Sequence, residues 1–290
     1  MRYRVRHVTT YVYDEAVDLG RHMLHLTPRA LAWQAVVSAR LAADPVPTRV
    51  DAGVDYFGNP VTWMALDQPH ARFRLSLEAV VEVAHPAPPP VEASWAWELV
   101  AEAALAGGAA GWEAAEFAFA SPLAPADAAV GAYAAVSFPA GRAVLVGLLD
   151  LMGRIRREFA FKPGVTTIST PVARVLAQRA GVCQDFTHLM IAGLRALGLP
   201  ARYVSGYLRT RPPPGFAPRQ GADQSHAWVG AWLGPEHGWV DLDPTNDLVV
   251  HDEHVVLAWG RDYGDISPVR GIILGGGSHT LTVAVELAPV

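Results

Sequence analysis

The chain has 290 residues, 51% of them hydrophobic and 18% charged, with a net charge of −5. That much apolar material fills one large domain or two modest ones and excludes a disordered chain, a collagen-like fibre and a disulfide-framed miniprotein. The acidic balance argues against a nucleic-acid binder, no apolar run approaches the roughly 20 residues that span a bilayer, and the N-terminus lacks the apolar core of a secretory signal, so a cytoplasmic location is expected.

Residues 1–84 carry strand signals. Tyr3, Val5, His7, Thr9 and Tyr11 alternate with Arg4, Arg6 and Val8, the period of a half-buried strand. Arg21 to Leu26, Ala35 to Leu41, Val61 to Ala65 and Arg72 to Val83 read similarly, and Gly58-Asn59-Pro60 reads as a turn. An antiparallel β domain is expected here. His85-Pro86-Ala87-Pro88-Pro89-Pro90 then breaks regular structure and marks an extended connector. Residues 85–140 form a Pro- and Ala-rich linker with helices, in which Trp95, Trp97 and Trp112 read as packing anchors.

Residues 141–290 read as the functional core with the C-terminal strands. Val144, Leu148, Leu151 and Ile155 recur at helical spacing. Thr170-Pro171 reads as a helix start, and that helix stops at Gly181. A second helix begins at Cys183 and carries Phe186, Leu189, Met190, Leu194 and Leu197 on one stripe, ending at Gly198 and Pro200. Strands follow at Ala201 to Leu208, His226 to Leu233 and Trp239 to Leu242, with a Pro-rich loop between the first two.

Cys183 is the single cysteine, so it is either inert packing or a reactive thiol. Its place in the first helical turn favours the second reading: unpaired amide N–H groups and the positive end of the helix dipole stabilise a thiolate and an oxyanion there. His226 opens one strand of a hairpin and Asp243 closes the other, which brings the two to the same end. A helix start and a hairpin would then assemble nucleophile, base and orienting carboxylate. Asp241 shares the strand face of Asp243 and remains an alternative carboxylate.

The blocks Gly181-Val182-Cys183-Gln184-Asp185-Phe186, Leu199-Pro200-Ala201-Arg202-Tyr203, Ser225-His226-Ala227-Trp228 and Gly238-Trp239-Val240-Asp241-Leu242-Asp243-Pro244-Thr245-Asn246 together resemble the bacterial transglutaminase-like superfamily. Tyr3-Arg4-Val5 and Tyr56-Phe57-Gly58-Asn59-Pro60 resemble the β domain that precedes that core in many bacterial members. The resemblance implies an α+β fold, with a papain-like core behind an antiparallel β domain. It implies Cys183 as nucleophile, His226 as base and Asp243 as the orienting residue, working through a thioester without a cofactor. The substrate would be a peptide or protein, and the partner pathway one that contains a peptide ligase. Hydrolysis by a peptidase or amidase is the first expectation and transglutamination the second; a silent peptide-binding module is the alternative of another class.

Other residues have plainer readings. Asp185 suits the helix dipole and His188 reads as structural. His251 and His254 lack a third ligand, and His22 and His25 face opposite sides of a strand, so no metal site is expected. Trp228 shares the face of His226 and is a candidate substrate contact that roofs the imidazole. Arg209 and Arg211, in the Pro-rich loop, are candidates for binding acidic groups of a substrate.

Overall fold

The computed structural model describes residues 1–106, 111–210 and 224–290. The alternation at the N-terminus extends further than its first eleven residues. It forms one strand, β1 (Arg2–Leu24), followed by β2 (Gln34–Asp44), β3 (Arg49–Val54), β4 (Pro60–Leu66) and β5 (His70–Val83). Tyr3, Val5, His7 and Thr9 point inward as their period requires, while Arg2, Arg4 and Arg6 are exposed. β3 carries no buried residue, which explains why it leaves no apolar alternation to read.

After the Pro-rich connector come α1 (Trp97–Leu105), α2 (Trp112–Ala115) and α3 (Ala128–Ala135), then α4 (Val144–Glu158). Trp95 and Trp97 pack on the core, whereas Trp112 is exposed and joins no core cluster among the described residues, contrary to expectation. Two short strands, β6 (Ala160–Phe161) and β7 (Ala180–Gly181), pair in parallel around α5 (Val172–Gln178). Helix α5 starts one residue later than its Thr-Pro signal suggests and ends earlier, because Arg179 takes the left-handed conformation that terminates it.

Helix α6 (Cys183–Ala196) is buried on every side from Asp185 to Arg195, beyond the single stripe its sequence advertises. Phe186, Leu189, Met190 and Leu194 are each under 4% exposed, and burying such a side chain contributes about 2 kcal/mol. The helix lies against α3, α4, α5 and two strands of a second sheet. That sheet contains β8 (Ala201–Leu208), β9 (Gln224–Trp232), β10 (Trp239–Asp243), β11 (Leu248–Val249) and β12 (His254–Gly260), in the order β11-β10-β9-β8-β12 and antiparallel throughout.

A short helix, α7 (Tyr263–Ile266), leads to β13 (Val269–Gly275) and β14 (His279–Pro289). These last strands do not complete the core made by residues 141–260. Both pair with β1: β14 along Tyr3–Tyr13 and β13 along Val17–Leu24. The expected boundary at 141–290 is corrected accordingly, since the first sheet is built from both ends of the chain. The reason is edge satisfaction. β1 bonds β5 and β4 on one side, and its other side would expose a long row of unpaired amides without β13 and β14.

Candidate active site

The site forms where the start of α6 meets the ends of β9 and β10. Val182, the residue before α6, has no side-chain acceptor, so the cap comes from inside the helix. Asp185 folds back and its Oδ2 accepts the Val182 N–H at 2.7 Å, half of a capping box, and also accepts the Thr166 hydroxyl at 2.7 Å. The fold-back depends on Gly181: a Cβ there would lie 2.7 Å from Asp185 Oδ2 and 2.8 Å from its Cβ. Asp185 therefore holds the helix start in place, and Cys183 beside it is partly exposed.

The β9–β10 hairpin pairs Leu242 with Val229 and Trp239 with Trp232, which puts His226 and Asp243 at one end. His226 Nε2 donates to Asp243 Oδ2 at 2.7 Å, and both residues are buried. With Nε2 committed to Asp243, Nδ1 is the nitrogen left to serve Cys183, which is near enough to influence the protonation of the ring. Burial disfavours charge on the ring, but the hydrogen bond and charge of Asp243, aided by the nearby Cys183, outweigh it and raise the pKa of His226 well above that of free histidine. Burial likewise opposes ionisation of Asp243; its donors prevail and hold the carboxyl below the usual carboxylate range.

Those donors are numerous. Asp243 Oδ1 accepts the backbone N–H of Thr245 at 2.9 Å and of Asn246 at 3.2 Å, the turn chemistry of Asp-Pro-Thr-Asn. Oδ2 accepts Asn246 Nδ2 at 2.7 Å and His254 Nε2 at 3.4 Å. The sequence offered His254 only as half of a metal pair with His251 and Asn246 only as the end of a family block, and gave neither a part in this site. Asn246 sits inside the Asp-Pro-Thr-Asn block and could have been found there; His254 arrives from β12 and has no such local signal. Donor atoms of His226, Asp243 and His254 come within 4.8 Å of one another, close enough to chelate an ion. Both carboxylate oxygens already accept hydrogen bonds, and the three residues form a hydrogen-bonded cluster.

The alternative carboxylate, Asp241, serves a different group. It accepts the Trp228 indole N–H at 3.1 Å and lies 3.8 Å from Arg202, whose guanidinium is stacked between Trp239 and Trp259. Trp228 is fully buried, 6.2 Å from the His226 ring between centroids. The expected substrate contact at Trp228 is corrected: a side chain without exposed surface supports the imidazole from within. Arg209 pairs with Glu253 at 3.4 Å, so its charge is already partnered. Arg211 lies outside the described residues. His188 packs on Tyr203 and accepts the Tyr263 backbone N–H.

Comparison with known proteins matches two families. Residues 3–82 match the bacterial transglutaminase-like N-terminal region, and residues 147–244 match the transglutaminase-like superfamily core. An uncharacterized protein of Mycobacterium tuberculosis is 40% identical over 292 residues, covering 99% of this chain and 93% of that protein. An uncharacterized protein of Mycobacterium leprae is 34% identical, covering 99% and 98%. A protein-glutamine gamma-glutamyltransferase of Pseudomonas aeruginosa is 32% identical over 106 residues, covering 36% of this chain and 16% of that protein. The crystal structure of a Cytophaga hutchinsonii protein, provisionally named a cysteine protease, shares the fold with a TM-score of 0.75 at 21% identity, covering 99% and 90%.

Proposed function

The chain belongs to the transglutaminase-like superfamily, and from that premise we propose that it is a thiol-dependent acyl-transfer enzyme acting on amide or isopeptide bonds, with Cys183 as nucleophile, His226 as acid and base, and Asp243 as orienting carboxylate. One observation carries the reading. The imidazole that meets Cys183 also donates to a buried carboxylate at 2.7 Å, which fixes its tautomer and orientation.

In the first step the Cys183 sulfur attacks the carbonyl carbon while the proton held by His226 passes to the departing amine. A thioester remains on Cys183 and His226 is neutral. In the second step His226 takes a proton from the incoming nucleophile, which attacks the thioester and releases the sulfur. Asp243 keeps its charge throughout and stabilises each imidazolium that forms.

Water as the second nucleophile makes the protein a cysteine peptidase or amidase, and this is the preferred reading because water is in vast excess over any amine. Transglutamination is the second reading, favoured by the likeness of 106 residues to the named glutamyltransferase. Glutamine-containing peptides incubated with a labelled primary amine separate the two: free acid is expected, and incorporated label would replace hydrolysis by transfer. Turnover that persists in Cys183→Ser would overturn the assignment of the nucleophile.

A further inference from the structure

We infer that His254 is a positioning residue of this site: from the first position of β12 it holds the Asp243 carboxylate through Nε2 and keeps it aimed at His226. The inference rests on the catalytic reading above. Strand alternation and register put His254, Val256, Gly206, His226, Trp228 and Asp243 on one face of the second sheet. The cross-strand pairs Val256–Gly206 and Gly206–His226 leave glycine in the middle of that face. A Cβ on Gly206 would lie 2.3 Å from the Trp228 ring and 2.2 Å from Val255 O. Glycine thus lets the indole lie across β8, where it meets the His254 ring edge-on at 5.2 Å and 79°. His254 is held in orientation by that contact, and its Nε2 stands 3.4 Å from Asp243 Oδ2.

The protonation of the cluster follows from its hydrogen bonds. An ionised carboxylate only accepts, so both His226 and His254 present Nε2–H to the same oxygen. His254 is fully buried and its Nδ1 has no partner among the described residues. A proton on Nδ1 would bury a donor with no acceptor, so the neutral ring is favoured. The groups that face His254 agree: burial lowers its pKa despite Asp243, and His226 and His251 lower it further, with His85 coupled to the same group. One carboxylate thus serves two imidazoles in opposite states. His226 carries the charge used in catalysis, and His254 contributes a donor without competing for it.

The test uses the full chain and iodoacetamide as the probe of Cys183, with rates measured from about pH 4.5 to 9. His226→Ala is expected to abolish the reactivity seen at the acid end. His254→Leu is expected to lower it there about tenfold, and His254→Gln, whose terminal amide N–H reaches the same oxygen, to restore it to within about threefold of wild type. A His254→Leu profile that overlays wild type, or a glutamine variant no better than leucine, overturns the inference while leaving the catalytic reading intact. If His254→Leu does not fold, His254→Gln is compared with the shorter His254→Asn: the glutamine variant is expected to react faster at acid pH, and equal rates overturn the inference. If His226→Ala leaves the profile unchanged, the catalytic reading falls, and this inference with it.

Discussion

At the scale of single residues, Asp241 and Asp243 show how neighbours divide two identical side chains between unlike tasks. They stand two positions apart on one strand face, yet Asp243 receives His226 while Asp241 receives Arg202 and Trp228. Asp243→Asn is expected to slow turnover at least a hundredfold, because a neutral amide neither stabilises the imidazolium nor fixes its tautomer. The same variant is expected to move the alkaline limb of kcat/KM to lower pH. Asp243 is what raises the pKa of His226 against burial, so its removal lets His226 lose its proton earlier. Asp241→Asn should spare the pH profile and instead cost about 3 kcal/mol in a urea titration, since it leaves the buried Arg202 without its counter-charge. Comparable damage to activity from both variants would contradict this division.

At the scale of elements, the start of α6 is built by a carboxylate that reaches backward. Asp185→Ala removes the acceptor for Val182 N–H and for Thr166, and is expected to cost about 1–2 kcal/mol, read as a lower urea midpoint. Gly181→Ala should mimic much of that loss, because its Cβ would occupy the space of the Asp185 side chain. The helix itself was legible from its apolar stripe and its Gly-Pro exit. Its burial on all sides was not, because a stripe reports the first surface a helix meets and says nothing of the second. Ala192 and Gly193 face inward as well, and a Cβ on Gly193 would lie 2.8 Å from the Ala134 Cβ of α3.

At the scale of the whole molecule, the two sheets are joined by side chains that stand in for a missing strand. Strand β12 is an edge of the second sheet, and two amides from the N-terminal region complete it. Gln34 donates to Val256 O at 2.7 Å and accepts its N–H at 2.8 Å; Asn59 donates to Trp259 O at 2.8 Å and accepts its N–H at 2.9 Å. Replacing Gln34 by leucine strands the Val256 N–H, while the Val256 carbonyl keeps the Arg29 backbone N–H, and is expected to destabilise the fold by about 1–3 kcal/mol, measured by urea unfolding. Acid weakens the assembly by another route. Burial lowers His7, His22 and His188 to about 4, and His7 links the sheets through Tyr207 at 3.0 Å. Each is neutral when folded and takes up a proton near pH 6.5 when unfolded, so the stability is fully present above about 6.5 and is lost as pH falls towards 4. The urea midpoint should therefore drop between about pH 7 and pH 4.5; a constant midpoint would refute this.

The amino-acid sequence by itself determined the local pieces: the alternating first strand, the helix that begins at Cys183, and the hairpin that brings His226 and Asp243 to one end. Each is set by interactions within a few residues, which leave a period or a turn signal in the chain. Only the tertiary structure decided which carboxylate meets the imidazole, that His254 joins them from another strand, and that the final strands return to the first. Alternation tells a side chain which face it takes. It does not name the neighbour waiting there, because pairing between distant segments is settled by packing and edge satisfaction across the whole fold.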